Sequence, residues 1–407
     1  MTVSTGRSPS RFRRVVIIVE NLSVPFDRRV WNEATTLQRA GYEVSVICPK
    51  GKGAEASYEE IDGVRIYRHP FPWEAAGSLS YILEYSTALI FEVWLTWRIF
   101  LSRGFDIIHA CNPPDLIFLV AAPFKYLLGK RFIFDHHDLN PELYIAKFNR
   151  RDLFYRALQF LEKRSFRMAD IVIATNESYK AIAIERGRVL PEKVFVVRSG
   201  PNLDRVRIVP RNEQLKCGRT YLVGYVGVIG SQEGIDLLLA SVRHIVRVQK
   251  RQDVHFGIVG GGPALQAMKR LAVEMGVAEY VTFTGRVTDD ELFAMLNTSD
   301  VCVNPDLPND MNDKSTMNKI MEYMALSKPI VQFDLTEGRF SARDASLYAR
   351  KNDIADFAHK VLELLDDPER RRQMGELGRV RVVNELAWTH EAPKLLDAYA
   401  ALEQRVS

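Results

Sequence analysis

Along nearly its whole length this chain alternates short β-branched runs with longer segments of helical period, and that alternation constrains its fold more than anything else. Such runs are too short for helices. Set between helical segments, they require parallel sheets whose strands are joined by crossover helices. In the first half the runs are Val15–Val19, Glu43–Cys48, Val64–Tyr67, Asp106–Ala110, Arg131–Asp135, Asp170–Ala174 and Val194–Val197. A helical pattern over Arg29–Ala40 stops at Gly41, a residue that ends helices by turning left-handed. The alternation then breaks. Residues 201–220 are rich in Pro, Asn and Arg without any period and read as a linker. It resumes with Tyr221–Gly227, His255–Gly260, Val281–Gly285, Asp300–Asn304 and Pro329–Phe333, and closes with two or three helices from Asp353 onward. The expected fold class is α/β, with two Rossmann-like doubly wound domains over residues 15–200 and 221–388. Ligands of such domains lie beyond the carboxyl ends of the strands, so two facing domains would share one cleft.

Size and composition agree. A chain of 407 residues outgrows one core and suits two. Its 47% apolar and 26% charged residues are ordinary for a soluble globular protein. A net charge of +4 is small for this length and gives no argument for nucleic acid as a partner. Arg7, Arg11, Arg13 and Arg14 concentrate in residues 1–14, which read as a flexible, solvated basic tail. Cys48, Cys111, Cys217 and Cys302 show neither metal-ligand spacing nor a disulfide framework, as expected of a reducing cytoplasm. The run Val15–Val19 is too short for a signal peptide. Ser80–Leu101 is the nearest approach to a membrane span, but it contains Glu84, Glu92 and Arg98, which are costly in hydrocarbon. Tyr81–Leu101 nonetheless carries Phe91, Trp94, Trp97 and Phe100. It reads either as a core-packing helix or as a helix lying on the inner face of the cell membrane.

Four constellations carry candidate chemistry. Gly227-Val228-Ile229-Gly230-Ser231-Gln232-Glu233-Gly234 follows a strand and opens a helix. Glycines there admit an anion close to the backbone, the helix N-terminus offers free amides, and Ser231 is a candidate N-cap. Gly260-Gly261-Gly262-Pro263 is a second such turn, with Pro263 suited to a first helical turn. Each also reads simply as a tight turn. Neither has the carboxylate about twenty residues on that marks a dinucleotide site, which disfavours a nicotinamide enzyme. In the segment Asn312–Ala325, Met317, Ile320, Met321 and Met324 form an apolar stripe, while Ser315, Asn318, Lys319 and Glu322 form a polar one. Its ammonium and carboxylate groups suit phosphate and sugar hydroxyls. Phe134-Asp135-His136-His137-Asp138 ends a strand, where an imidazole beside a carboxylate is well placed for chemistry. No third ligand accompanies the paired histidines, so no metal is expected. His109, within a strand run, reads as a satisfied core histidine.

Taken in order, these residues resemble the retaining GT-B glycosyltransferases of family 4. Pro25-Phe26-Asp27-Arg28-Arg29-Val30-Trp31 is similar to the acceptor-side loop and helix of that family. Phe105–His109 and His137-Asp138 resemble its first-domain strand ends, and Val281–Arg286 its nucleotide-base region. Glu322-Tyr323-Met324-Ala325-Leu326-Ser327-Lys328-Pro329-Ile330-Val331 resembles its most specific signature.

The resemblance implies transfer of a hexosyl group from a nucleotide diphosphate sugar to an acceptor hydroxyl, with retention, without a metal or other cofactor. It implies a role in cell-surface polysaccharide or glycolipid synthesis, with a saccharide or lipid-linked saccharide as acceptor. Donor-side residues would be Gly227, Gly230, Ser231, Gly261, Gly262, Arg286, Lys319 and Glu322, with Glu322 on the ribose. His137, Asp138 and Lys314 would be catalytic, Asp27, Arg28, Arg29 and His109 would face the acceptor, and residues 389–407 would cross back to the first domain. Two departures stand out. Val228 and Glu233 occupy positions where many members carry the arginine and lysine that neutralise the diphosphate, and Lys314 replaces an earlier glutamate. The replacement clamp is expected to be Lys314 or Lys319 with the backbone amides of Gly227–Ser231. An epimerase of the same architecture and a non-catalytic nucleotide-sugar binder are the alternatives.

Overall fold

A computed structural model describes residues 13–70 and 78–404, with backbone alone at 78–86 and 404. Arg7 and Arg11 of the basic tail, and the side chains of Tyr81 and Glu84, lie outside the described residues. The chain forms two compact units. The first comprises the described residues up to Ile145, together with Asn149–Arg198 and the stretch from Glu391 onward. The second comprises Ala146–Phe148 and Ser199–His390.

In the first unit the elements run β1 (Arg14–Ile18), α1 (Arg28–Arg39), β2 (Glu43–Pro49), β3 (Tyr58–Ile61), β4 (Val64–His69) and α2 (Ser78–Ser102). They continue with β5 (Ile107–Cys111), α3 (Phe118–Leu128), β6 (Arg131–His136), α4 (Asn140–Phe148), α5 (Leu153–Met168), β7 (Ile171–Ala174), α6 (Glu177–Glu185) and β8 (Val194–Val196). The strands make one eight-stranded sheet ordered β3-β4-β2-β1-β5-β6-β7-β8. All pairs are parallel except β3 with β4. Helices cover both faces, so β1 is buried at Val15, Val16, Ile17 and Ile18 alike, which is why the strand runs are continuously apolar. Asp27 caps α1 by accepting from the Val30 amide at 3.1 Å, and Gly41 terminates it at φ 92°.

In the second unit the elements are β9 (Tyr221–Val226), α7 (Ile235–Arg243), β10 (Val254–Val259), α8 (Leu265–Glu274), β11 (Val281–Gly285), α9 (Asp289–Thr298) and β12 (Val301–Asn304). Next come α10 (Asp310–Lys314), α11 (Asn318–Ala325), β13 (Ile330–Phe333), α12 (Thr336–Ala342) and β14 (Ser346–Ala349). Three helices follow, α13 (Ile354–Asp366), α14 (Pro368–Arg381) and α15 (Trp388–Gln404). The sheet order β11-β10-β9-β12-β13-β14 is that of the Rossmann fold. Residues 201–220 run along this unit, and Leu203, Val206, Val209 and Leu215 pack against its core. Most of α15 belongs to the first unit, where Leu395, Ala398, Tyr399 and Leu402 are buried. Tyr399 meets Tyr42 edge-on with ring centroids 5.4 Å apart.

Every expected strand is present, with its ends within two residues of the reading. Two strands were missed. β3 is half exposed at the sheet edge and carries Glu59 and Glu60, so it lacks an apolar signature. Its signal was the Asp62-Gly63 turn, both residues at positive φ. β14 is short and half buried in its middle. Three local expectations are corrected. Ser231 does not cap α7; the helix begins at Ile235 behind Gly234, itself left-handed at φ 64°. Pro263 precedes the helix rather than opening it, since α8 starts at Leu265. The 312–325 segment is two helices, broken at Ser315–Met317.

Cys48, Cys111 and Cys302 are buried, Cys217 is exposed, and all are free thiols. No helix of the described residues is long and apolar enough to cross a membrane.

Candidate functional site

In each unit the sheet order reverses beside the first strand, between β1 and β5 in one and between β9 and β12 in the other. Loops diverge there and leave room for a ligand. A cluster of buried charge sits at each reversal.

The first cluster centres on Asp135 near the end of β6. Strand geometry turns adjacent side chains to opposite faces. His136 is therefore enclosed among Phe134, Phe166 and Tyr179 and lies 3.4 Å from Glu162. Asp135 faces the other way. One of its oxygens accepts from the Arg29 guanidinium at 2.8 Å. The other lies 2.6 Å from His137 Nε2 and 3.3 Å from His109 Nε2. His109 Nδ1 lies 2.8 Å from the Tyr399 hydroxyl. Arg29 also donates to the Val197 carbonyl at 2.7 Å and pairs with Glu33 at 3.2 Å. Burial works against charge throughout this cluster. Arg29, His137 and His109 nevertheless hold Asp135 well below the carboxylate range. Glu33, pressed by burial and by Asp135 despite Arg29, is pushed well above its range. Desolvation likewise lowers His109.

Asp135 is the carboxylate that Arg29 balances, while burial favours the neutral forms of Glu33 and His109. His137 Nε2 sits between Asp135 at 2.6 Å and the Arg29 Nε–H, which points at it from 2.8 Å, and Nδ1 has no hydrogen-bond partner among the described residues. Asn112 holds the next turn, its side-chain oxygen accepting from the His137 and Asp138 amides at 2.6 and 3.1 Å. Of the expected residues here, His137 is partly exposed at 14%. Asp138 and Asp27 are half buried, and Arg28 is exposed. His109 is corrected: it is fully buried with both ring nitrogens engaged, and cannot meet an acceptor. Arg29 is buried too, and orders the cluster from within.

Glu33, Cys111, Asp135 and His137 bring ligand atoms within 4.8 Å of one another. A cation there would have to displace Arg29. Burial also keeps the Cys111 thiol well above its usual range, which disfavours the thiolate a metal needs.

The second cluster lies between the ends of β9 and β12. Lys319 on α11 reaches Asp306 at 3.0 Å, Glu233 at 3.2 Å and the Tyr225 hydroxyl at 3.3 Å. It lies 4.8 Å above the Tyr225 ring. Burial opposes its charge, but Asp306, Tyr225 and Glu233 hold it well above the normal lysine range. Burial raises Glu233 against the pull of Lys319. The expectation that Lys319 serves as a spare diphosphate cation is therefore corrected, because two carboxylates already balance it. Sequence reasoning missed Asp306 and Tyr225 altogether, and neither stands in a recognisable motif.

Around this cluster the glycine turns interlock. Gly227 donates to Val259 at 3.1 Å and Ile229 to Gly261 at 2.9 Å. A Cβ at Gly260, where φ is 141°, would fall 1.8 Å from the Gly227 carbonyl, and one at Gly262 would fall 2.5 Å from that of Ile229. Gly261 differs, since a Cβ there would meet Arg286 at an ordinary 3.9 Å. Packing therefore demands glycine at 260 and 262 but not at 261. The amides of Val228, Gly230 and Ser231 make no backbone hydrogen bond among the described residues, nor do those of Asn318 and Lys319. α11 begins behind Met317 with no side-chain cap, so its positive dipole end is uncompensated. A Cβ on Gly227 would touch the Lys319 side chain at 3.4 Å, so turn and helix end are neighbours. Glu322 and Lys314 are half buried, while Arg286, Ser231 and Val228 are exposed. Arg286 has no ion-pair partner among the described residues.

A profile of Glycosyltransferase Family 4 matches residues 27–205. One of Glycosyl transferases group 1 matches residues 220–367. The chain is 27% identical over 251 residues to a D-inositol 3-phosphate glycosyltransferase of Nocardia farcinica, a match covering 59% of this chain and 54% of that protein. It thus spans little more than half of that relative. It is 22% identical over 404 residues to an MMP alpha-(1->4)-mannosyltransferase of Mycolicibacterium hassiacum, covering 91% and 93% of the two chains. Sucrose-phosphate synthase of Thermosynechococcus elongatus superposes with a TM-score of 0.79 at 18% identity, over 96% of this chain and 99% of that one. At such identity the likeness speaks for the GT-B fold alone. With its two units matched in order by the two profiles, the chain belongs to the group 1, family 4 glycosyltransferases.

Proposed function

We propose that this protein transfers a hexosyl group from a nucleotide diphosphate sugar to the hydroxyl of a saccharide or lipid-linked saccharide, retaining the anomeric configuration and using no metal. The observation that carries the reading is the set of unpartnered amides at Val228, Gly230, Ser231, Asn318 and Lys319, gathered where α11 starts without a cap. Donor groups of that kind hold a diphosphate without a salt bridge. They also stabilise the charge that grows on it as the glycosidic bond breaks. Arg286 and Lys314 add positive charge, Glu322 takes the ribose hydroxyls, and Gly261 and Gly262 admit the nucleotide against backbone. In the first unit His137, oriented by Asp135 and Arg29, supplies the polar group for the sugar at the reacting carbon. Asp138, Asp27 and Arg28 serve the acceptor side.

The test is a thermal-shift panel of uridine, guanosine and adenosine diphosphate sugars, followed by product analysis with the best ligand. One donor is expected to raise the melting temperature, since a ligand at a hundredfold its Kd adds about 2.7 kcal/mol. Glu322→Ala is expected to abolish that rise, and the product to keep the donor's anomeric configuration by NMR. No shift with any donor sinks the reading. Binding without acceptor-dependent product leaves the protein a binder, and an epimerised free nucleotide sugar makes it an epimerase.

A further inference from the structure

A helix on a protein surface ordinarily turns polar side chains outward. Three neighbouring helices of the first unit turn large apolar side chains outward as well. On α2 the outward positions are Ile90, Trp94 and Leu101, exposed by 69%, 56% and 77%. On α3 and α5 the exposed residues include Tyr126, Leu127 and Phe160. These helices form one layer. Trp97 of α2 packs on Phe124 of α3 with centroids 4.6 Å apart, and α3 and α5 together line a cavity of about 380 Å³.

Among the described side chains, the exposed charges on this layer have one sign. Its exposed ions are Arg98, Arg156, Arg164 and Arg167. Among the described side chains of the three helices the only carboxylates are Glu92 and Glu162, and both are fully buried. Arg164 and Arg167 border the cavity with Tyr126 and Phe160 and have no carboxylate partner among the described residues. Arg164 stacks over the Phe160 ring at 4.9 Å.

We propose that the outward face of α2, α3 and α5 seats on an anionic lipid bilayer, and that the cavity between α3 and α5 takes a lipid headgroup phosphate between Arg164 and Arg167. Exposed aromatic and aliphatic side chains enter the headgroup–acyl boundary, and arginines among them match the negative surface. Arginine also pairs with phosphate through a planar fork. The two readings of the aromatic helix thereby describe different sides of it: Leu95, Ile99 and Glu92 face the core, while Ile90, Trp94 and Leu101 face the lipid. This seat does not depend on which sugar the enzyme transfers.

The experiment is flotation of the full chain with vesicles of phosphatidylcholine alone and of equimolar phosphatidylcholine and phosphatidylglycerol. The chain is expected to float with the anionic vesicles, less so at high salt. Arg164→Ala and Arg167→Ala are each expected to weaken partitioning about fivefold. Trp94→Glu is expected to abolish it. Circular dichroism checks that each variant is folded, and Arg164→Lys, which keeps charge but loses the fork, is expected to fall between wild type and alanine. Inorganic phosphate is expected not to displace the chain from the vesicles at physiological concentration. Three results would overturn the proposal: wild type that fails to float with anionic vesicles, folded arginine variants that float like wild type, and self-association through this face that Trp94→Glu reverses.

Discussion

At the scale of single residues, buried charge separates structure from chemistry. Asp135 and His137 touch, yet one is fully buried and the other reaches the surface. Asp135→Ala is expected to cost about 3–5 kcal/mol in denaturant unfolding, because it strands the Arg29 cation in the core. His137→Ala is expected to leave stability within about 1 kcal/mol and to lower kcat about a hundredfold. Equal effects of the two on stability would refute the assignment. The lysines carry separate expectations. Lys319→Met leaves Asp306 and Glu233 facing each other unpaired, so the loss should appear in melting temperature as well as rate. Lys314→Met is expected to slow transfer about tenfold, near 1.4 kcal/mol of transition-state binding. The lysine's pairing was not legible beforehand: Glu233 lies 86 residues from Lys319, and charge in a sequence carries no record of its partner.

At the scale of elements, two turns and one helix carry distinct expectations. Gly260→Ala forces a Cβ into a carbonyl and should destabilise strongly. Gly261→Ala meets only ordinary contact, so it should fold like wild type and weaken donor binding alone, as calorimetric titration would register. Within α2, Glu92 is fully buried with neither carboxyl oxygen hydrogen bonded. Burial pushes it from 4.5 to about 8. The folded protein therefore holds this proton more tightly than the unfolded chain does. The stability this contributes is complete below 4.5 and is lost as the pH rises to about 8. Glu92→Gln should flatten the dependence of urea midpoint on pH across that window, and a variant that tracks wild type throughout would show Glu92 to be solvated. Strand positions were readable because sheets covered on both faces need unbroken apolar runs. β3 escaped because an edge strand protects itself with charge.

At the scale of the whole molecule, the chain leaves its first unit at Arg198 and returns to it at Glu391. The returning helix buries Leu395, Ala398, Tyr399 and Leu402, and its tyrosine hydroxyl occupies His109. A chain ending at His390 is expected to unfold its first unit at lower temperature while the second, which needs none of these residues, melts as before. Differential scanning calorimetry with limited proteolysis would resolve the two transitions. A single unchanged transition would mean that this helix contributes nothing to the first core.

The sequence by itself determined two parallel α/β units, their strand positions, the glycine turns and the family signature, because periodicity and backbone-conformation demands are local properties of a chain. Tertiary structure alone decided which charges are spent. It bound Lys319 to Asp306 and Glu233, closed His109 under Tyr399, made Arg29 a buried organiser, and left amides without backbone partners beside the Gly227 turn, where the neighbouring lysine is already balanced. The physical reason is that an ion's availability depends on burial and on partners brought in from distant segments, and neither exists until the chain has folded.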